Sequence, residues 1–332
     1  MPSRVLSFAA VHLCLAASCL AQQNVCTISD VPVAVISVSG DVFRGLAAED
    51  FVGRTQKKPV GVKSLAFDDG PRRVALVVDT SNKLSADSRR AEKELVEVIL
   101  AGARPEDTFA LLSARGPGID MNFTADHGSI IRALGVNESR GGKDPGVLDA
   151  VMTAIEQFGG HQNGDAIVVI AAEMEGNHKA NAKMVAKALE DHHIRMFGLA
   201  LGLVTTKSSV AGGSMTSTTS QGLAWTTPEV GDIVYNTGDE HFFPLTVNSG
   251  GMVLGVMGAD PRRDSNMSDA RVVQRVQQKA RAVSKMINSF YRVQVEPPPG
   301  SRPEDWSLEI SETITKHSQP MLVLYPHALG PC

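Results

Sequence analysis

The fold is decided by the stretch PRRVALVVDTSNKL, residues 71–84. Within it, VALVV at residues 74–78 is a continuous apolar run, which is typical of a strand buried on both faces of a sheet. After this strand, apolar residues recur at helical spacing, at Ala91, Leu95, Val98 and Ile99. The sequence therefore predicts a buried strand followed by a helix, the unit from which a parallel sheet covered by helices is built.

The same alternation continues along the chain. Apolar runs predict further strands at 108–114, 166–172 and 194–202, and helical spacing predicts helices over 147–158, around 184–189 and over 272–287. The helix around 184–189 is placed by the apolar residues Met184, Val185, Ala188 and Leu189. We therefore predict that residues 71–289 form a doubly wound α/β domain, with a mostly parallel sheet and helices on both faces.

The two flanks of this domain lack helical spacing. Residues 22–70 and 290–332 contain β-rich segments separated by Pro and Gly, so we predict strands without helices there. One small antiparallel β-module, built from both ends of the chain and packed beside the α/β domain, accounts for both flanks. Residues 204–240 are rich in Ser, Thr and Gly and are predicted to form a flexible loop at the carboxyl edge of the parallel sheet.

Residues 1–21 have the pattern of a secretory signal peptide, with one positive charge, an apolar run and small residues at the end. Cleavage is predicted after Ala21. The alternative is lipidation of Cys19, because residues 16–19 resemble a bacterial lipobox. No other stretch has the ~20 consecutive apolar residues that a membrane span requires. We therefore predict an exported protein that is secreted or resides in the periplasm or cell envelope.

Two cysteines follow the leader, Cys26 and Cys332, one near each end of the chain. Disulfides persist in exported proteins, and a bridge between these two would contribute roughly 4–5 kcal/mol in the chain-entropy model. The predicted β-module would bring the two cysteines together. Two free or intermolecular thiols are the alternative, and the sequence alone leaves both open.

Charge and motifs exclude several classes of function. The net charge is -4 and no basic stripe stands out, so no nucleic-acid partner is predicted. The segment GGKD at 141–144 lacks the spacing and the Ser/Thr of a phosphate-binding loop, and there is no Gly-x-Ser-x-Gly elbow. The adjacent pair His192-His193 lacks zinc-type spacing and is predicted to face solvent. We therefore predict that the protein is not an enzyme and has no catalytic residues.

A buried strand that ends in Asp-x-Ser, here at Asp79 and Ser81, resembles the start of a von Willebrand factor A-type domain. Further segments resemble, in order and spacing, the secreted A-domain-related proteins of acidobacteria over roughly residues 31–328. They are GLAAEDF (45–51), PEDTFALLS (105–113), NFTAD (122–126), LDAVMTAI (148–155), AIVVIAAE (166–173), VNSGGMVL (247–254) and SFYRVQVEPP (289–298). The resemblance implies protein–protein interaction or adhesion outside the cytoplasm.

In this family a Mg²⁺ ion is held by an Asp-x-Ser-x-Ser motif, a Thr and often a second Asp, because a hard cation needs about six oxygen ligands. Asp79 and Ser81 match the first two ligands. Lys83 replaces the second Ser, Pro145 the Thr and Ala172 the second Asp. The lost ligands, and an ammonium group that repels a cation, predict a degenerate site without metal. Asp79 is then predicted to accept hydrogen bonds from the N-terminal amides of the next helix.

The binding face that the resemblance implies lies around residues 79–83, 141–146, 172–176 and the 204–240 loop. Its predicted partner-contact residues are Asp79, Ser81, Lys83, Asp144, Glu173 and Glu175. We expect a metal-independent module with a protein partner and no cofactor. Two alternatives stay open: an envelope scaffold whose carboxyl edge binds no ligand, and a divalent-cation site, suited to Mg²⁺, rebuilt from nearby carboxylates of this set.

Overall fold

The described residues form two six-stranded sheets and one two-stranded pair. The structure is a computed structural model that describes residues 28–37, 41–80, 84–114, 118–138, 146–160, 162–172, 179–201, 226–227, 231–232, 242–256, 266–298, 306–311 and 321–329. Its strands are β1 (Ser29–Ser37), β2 (Phe51–Thr55), β3 (Lys58–Asp68), β4 (Arg73–Val78), β5 (Thr108–Ser113), β6 (Met121–Thr124), β7 (Ala166–Ala171), β8 (Arg195–Ala200), β9 (Thr226–Thr227), β10 (Gly231–Asp232), β11 (Val253–Gly255), β12 (Phe290–Glu296), β13 (Trp306–Ile310) and β14 (Met321–Leu324). Its helices are α1 (Ala86–Ala101), α2 (His127–Glu138), α3 (Val147–Phe158), α4 (Ala182–Asp191), α5 (Phe242–Asn248) and α6 (Ala270–Asn288), and a short 3₁₀ turn covers Ala48–Asp50.

The first sheet is mostly parallel and has the order β6-β5-β4-β7-β8-β11. Neighbouring strands run parallel except for β5 and β6, which are antiparallel at one edge. Counted along the chain within this sheet, the order is 3-2-1-4-5-6, the order of doubly wound Rossmann-like folds. The predicted α/β fold with a mostly parallel sheet is therefore confirmed.

Helices cover both faces of this sheet because successive side chains of β4 belong to two different apolar cores. Leu76 packs on one side with buried residues of α1, α2 and α6. Val77 packs on the other side with buried residues of α3 and α4. Each residue from Val74 to Val78 is at most 1% exposed, which explains why the run is apolar without alternation.

Capping side chains fix the starts of three of these helices. Ser85 accepts a hydrogen bond from the Ser88 amide at the start of α1 (3.0 Å). Asn181 does the same for Met184 in α4 (3.0 Å). Asp269 accepts from Arg271 in α6 (2.9 Å). Each cap satisfies an amide that the helix itself leaves unpaired.

Two predictions concern α4 and the turn after it. The predicted helix is present, and it buries Val185 and Leu189 while Met184 is 48% exposed. His192 and His193 are partly exposed in the turn that ends α4, where the His192 amide donates to Ala188 O (3.1 Å). Helix α2 was not predicted from the sequence; its Ile130 and Leu134 are buried one helical turn apart.

The second sheet is antiparallel throughout and joins the two ends of the described chain, with the order β13-β2-β3-β12-β1-β14. Trp306, at one edge, donates its indole N–H to Pro326 O (2.9 Å), just beyond the strand at the other edge. Its ring lies 5.0 Å from that of Tyr325. The sheet therefore curls around its own apolar core, which includes Val33 and Val293. The predicted antiparallel sheet from both ends is present, although its six strands make it larger than the small module expected.

Three arginines hold the last turn of α6, where the chain enters β12. The contacts are Arg72 Nε to Ile287 O (3.2 Å), Arg195 Nη1 to Met286 O (3.0 Å), Arg195 Nη2 to Ile287 O (3.1 Å) and Arg104 Nη2 to Asn288 O (2.8 Å). These carbonyls have no partner within the helix, and cations are favoured at the negative end of the helix dipole. The arginines thus fix the connection between the two sheets.

Buried charge at this connection is partly compensated. Asp68, the last residue of β3, accepts a hydrogen bond from Arg72 (2.8 Å). Burial raises the pKa of the Asp68 carboxyl, but the hydrogen bond and the charge of Arg72 outweigh it and lower the pKa overall. Burial and the charge of Arg72 lower the pKa of Arg195 to about 9, so this guanidinium stays charged at neutral pH. The Phe290 ring lies 4.6 Å from Arg72 and 4.2 Å from Arg195, and both contacts favour the cations.

A second ion pair ties the end of α3 to the start of the parallel sheet. The carboxylate of Asp165, which is 1% exposed, accepts two hydrogen bonds from Arg73, at 2.9 and 2.6 Å. Arg73 also donates to Phe158 O (2.8 Å) and Gly160 O (2.7 Å). The guanidinium therefore links β4 to the loop between α3 and β7.

The turn after α5 brings the chain unusually close to β8. A Cβ atom added to Gly251 would lie 1.9 Å from Met196 O. Ser249 Oγ accepts a hydrogen bond from the Met196 amide (2.9 Å), and the Gly251 amide donates to Thr246 O (2.9 Å). Only glycine fits this approach of two backbones.

Among the described residues, no helix is both long enough and apolar enough to cross a membrane.

Candidate functional site

The carboxyl edge of the parallel sheet is formed by the residues that follow β4, β5 and β7. The backbone hydrogen bonds continue one residue past these strands: the Asp79 amide donates to Ile170 O (2.9 Å) and the Ala114 amide to Val78 O (2.8 Å). Asp79, Ala114 and Ala172 therefore end neighbouring strands at the same edge. Open α/β sheets bind their ligands at this edge.

Asp79 is buried within this edge, at 2% exposure. Its Oδ2 accepts a hydrogen bond from the Ala172 amide (3.4 Å), which joins the ends of β4 and β7. The predicted donors were amides at the start of the next helix, α1; the donor seen here follows the neighbouring strand, β7. The two positions that the family motif pairs across the site, Asp79 and Ala172, are thus in contact, through a backbone amide instead of two carboxylates.

Thr80 adds a second buried polar group beside Asp79. It is 5% exposed, and its Oγ1 has no hydrogen-bond partner in the part of the chain that the structure describes. A buried hydroxyl without a partner costs roughly 1–3 kcal/mol. In the Asp-x-Ser motif Thr80 is the variable middle residue, and the motif does not indicate that its hydroxyl is buried.

Asp149 is a functional candidate that the sequence analysis missed. It lies in the first turn of α3, and its carboxylate accepts hydrogen bonds from the amides of Lys179 (3.0 and 3.1 Å) and Ala180 (2.7 Å). The start of α3 is itself attached to the sheet, because the Gly146 amide donates to Ala114 O. The segment LDAVMTAI contributes this aspartate, but the sequence does not reveal which amides it binds.

Most of the predicted partner-contact residues lie outside the described residues. They are Ser81, Lys83, Asp144, Glu173 and Glu175, and the same holds for Pro145, for Cys19, Cys26 and Cys332, for the leader and for nearly all of the 204–240 loop. Their roles stay predictions. Of the predicted set, Asp79 is the residue that the structure describes, and it lies at the predicted edge.

No group of three or more His, Cys, Asp or Glu side chains in the described ranges is arranged to hold a metal ion. The described part of the edge offers the Asp79 carboxylate and the Thr80 hydroxyl, whereas Ala172 offers no side-chain oxygen. These groups alone fall short of the six or so oxygen ligands that Mg²⁺ requires.

Comparison with known proteins finds similarity only among solved structures. No family model matches the chain, and no curated protein matches it. An aerotolerance-related membrane protein from Bacteroides fragilis is 20% identical and covers 66% of this chain and 99% of its own, with a TM-score of 0.44. BatB from Bacteroides thetaiotaomicron is 21% identical, covering 64% of this chain and 100% of its own, with a TM-score of 0.40. A von Willebrand factor type A protein from Catenulispora acidiphila is 11% identical, covering 86% and 71%, with a TM-score of 0.43.

TM-scores of this size do not by themselves establish a shared fold, so the assignment depends on the chain's own features. The strand order 3-2-1-4-5-6 is doubly wound, and β4, strand 1 of that order, is followed directly by Asp79 of the Asp-x-Ser motif. By these features, the α/β part of the chain is similar to von Willebrand A-type domains.

Proposed function

We propose that this protein is a non-enzymatic, extracytoplasmic interaction or adhesion module of the von Willebrand A type. It binds a protein partner at the carboxyl edge of its parallel sheet, without a metal ion. The proposal is carried by the hydrogen bond that the buried Asp79 carboxylate accepts from the Ala172 amide. The residue that opens the family's metal motif thus serves here as a link between two strands.

The chemistry of the neighbouring positions supports metal independence. Alanine at 172 and proline at 145 supply no side-chain oxygen, and lysine at 83 adds a positive charge in the Asp79 loop. A divalent cation at this edge would lack ligands and would be repelled by the ammonium group. Recognition then depends on side-chain complementarity, and we propose that Lys83 pairs with an acidic residue of the partner.

The location of the protein is part of the same proposal. The predicted signal peptide, residues 1–21, directs the chain to the periplasm, the cell envelope or the medium. In such a compartment a Cys26–Cys332 disulfide is stable. The partner is then another extracytoplasmic protein.

A thermal melt of the mature protein in EDTA, Mg²⁺ or Mn²⁺ tests metal independence. A cation that binds only the folded state stabilises it and so raises the melting temperature. At a cation concentration of 100 Kd the free energy of unfolding rises by about 2.7 kcal/mol. We expect equal melting temperatures in all three conditions. If Mg²⁺ raised the melting temperature and Asp79→Asn abolished that increase, nearby carboxylates would have rebuilt a cation site.

Photo-crosslinking in the native envelope tests the binding face. A benzophenone amino acid is placed at position 83, in the predicted binding face, and in a control at position 106, in the exposed turn before β5. We expect a discrete adduct with one protein from position 83 and none from position 106. Absence of an adduct from position 83 would favour the scaffold alternative, in which the carboxyl edge binds no ligand.

A further inference from the structure

The chain that follows β14 forms a strap, residues 325–327, which contacts both parts of the molecule. On the side of the second sheet, Pro326 O accepts the indole N–H of Trp306 (2.9 Å), and the Tyr325 ring lies 5.0 Å from the Trp306 ring. Two residues beyond the strap, Leu329 is buried in the core of the same sheet. The strap is therefore attached to the second sheet on both sides of His327.

On its other side the strap contacts the turn that follows α5. The His327 amide donates to Asn248 O (2.9 Å), and Ser249 and Pro326 form an antiparallel β-bridge. Gly250 has a φ of +85°, and a Cβ atom added to it would lie 2.7 Å from Pro326 N. These contacts join the backbones of the two segments, so they fix the position of the turn relative to the strap.

The same turn leads into β11, the outermost strand of the parallel sheet on that side. Ser249 Oγ accepts a hydrogen bond from the Met196 amide of β8 (2.9 Å) and donates to Thr246 O (2.9 Å). β11 itself has three residues, which pair with β8. An edge strand this short has few ladder hydrogen bonds of its own, so its position depends on the turn before it.

We infer that the strap is a coupling device, which transmits the closure of the second sheet to the β8–β11 edge of the parallel sheet. When residues 325–327 leave the turn at 248–250, the turn loses its backbone contacts and β11 loosens. The central strands β4, β5 and β7 keep their pairing, because local opening needs less free energy than global unfolding. This coupling requires no partner and is independent of the proposed function.

Residue-resolved amide hydrogen exchange of the full mature protein tests the contact between strap and turn. The amides of Gly198 and Val256 donate to Met252 O and Ala200 O and report the pairing of β8 with β11. In Gly250→Ala, whose added Cβ meets Pro326, we expect both amides to exchange about tenfold faster or more. The amides of Asp79 and Ala114, which pair the central strands, should keep their rates.

Gly45→Ala is the matched control for this variant. Gly45 has nearly the same φ, +83°, but a Cβ added there meets no atom within 4 Å. Both variants place alanine in a left-handed conformation, so a difference between them reports the contact with the strap. Equal exchange of the Gly198 and Val256 amides in the two variants would overturn the inference. Equal acceleration of the central amides in Gly250→Ala would also overturn it, because the parallel sheet would then open as one unit.

A change within the second sheet tests whether its closure reaches β11. Trp306→Phe keeps an aromatic ring beside Tyr325 but removes the indole N–H that Pro326 O accepts. We expect the Gly198 and Val256 amides to exchange about threefold faster or more in this variant. The control is Tyr291→Phe, which removes a hydroxyl that donates to Phe43 O (3.0 Å) in the same part of the molecule and should leave both amides unchanged. Unchanged exchange in Trp306→Phe would overturn the inference, and this test remains available if Gly250→Ala does not fold.

Discussion

Replacing Gly251 by alanine should force β8 and the turn before β11 apart. The added Cβ would lie 1.9 Å from Met196 O and 2.7 Å from Met196 C, distances that real Cβ atoms do not show. The obstacle is backbone within the parallel sheet, so no side-chain rotation relieves it. The variant must therefore move either the turn or β8 itself.

The expected cost follows from the contacts at this turn. Overpacking in a rigid core costs about 1–3 kcal/mol. Moving the turn also weakens the hydrogen bonds from the Met196 amide to Ser249 Oγ and from the Gly251 amide to Thr246 O, both 2.9 Å, each with a net contribution of about 0.5–1.5 kcal/mol. We expect a loss of about 4 kcal/mol in the free energy of unfolding, which lowers the melting temperature of a domain of this size by roughly 10 °C.

Circular dichroism melts of the mature protein measure this loss, and Gly118→Ala is the matched control. A Cβ at Gly118 meets no atom within 4 Å, so this variant should melt within about 2 °C of the wild type. If Gly251→Ala melts together with the control, the close approach of the turn to β8 is wrong. If both glycine variants melt equally low, the contact with β8 is not the cause, and the unfolded state is not either, because its effect on a Gly→Ala change is stabilising.

The buried charges and the cysteines allow three further tests. The folded state lowers the pKa of Asp68, so the ionised carboxylate stabilises the fold above about pH 4, and this contribution is lost as the pH falls through the lowered pKa. The melting temperature should therefore fall more steeply below pH 4 in the wild type than in Asp68→Asn. Equal slopes in the two proteins would contradict this. Asp165→Ala should lower the free energy of unfolding in urea by about 3–5 kcal/mol, because it leaves Arg73 without its carboxylate. A double-mutant cycle with Arg73→Met isolates the pair, and additive losses would show that the interaction contributes nothing. Finally, the mature protein should show no reactive thiol before reduction if Cys26 and Cys332 are bridged, and two reactive thiols would exclude the bridge.

Local patterns predicted the parallel sheet well because its strands are buried on both faces. The run at 74–78 and the helical spacing of α1 and α6 depend on residues close in sequence. α2 was missed because Ile130 and Leu134 are the only deeply buried residues in its described part, 127–136, too few to show a periodic face. The exposure of Met184 could not be predicted, because spacing does not reveal whether a neighbouring element covers an apolar residue.

The site could be predicted from the sequence only where a polar residue directly follows a recognisable buried strand. Asp79 follows a buried strand, and parallel strands place their carboxyl ends together, so its proximity to Ala172 follows from the sequence. The role of Asp149 depends on the backbone amides of Lys179 and Ala180. Every residue except proline has such an amide, so the sequence does not show which amides a carboxylate binds. The burial of Thr80 is likewise a matter of tertiary packing.

The strand order of the second sheet also restricts when the protein can finish folding. β1 lies between β12 and β14, pairing with the first through Ser29–Val33 and with the second through Ala34–Ser37. Both partners of β1 thus follow the α/β part in the sequence, so the edges of β1 stay unpaired during synthesis until β12 and β14 have been made. Such non-local pairing is slow, and exposed strand edges favour aggregation. The α/β part can form its sheet first, and the second sheet then closes when β12 and β14 pair with β1, a step that a deletion of β14 should prevent.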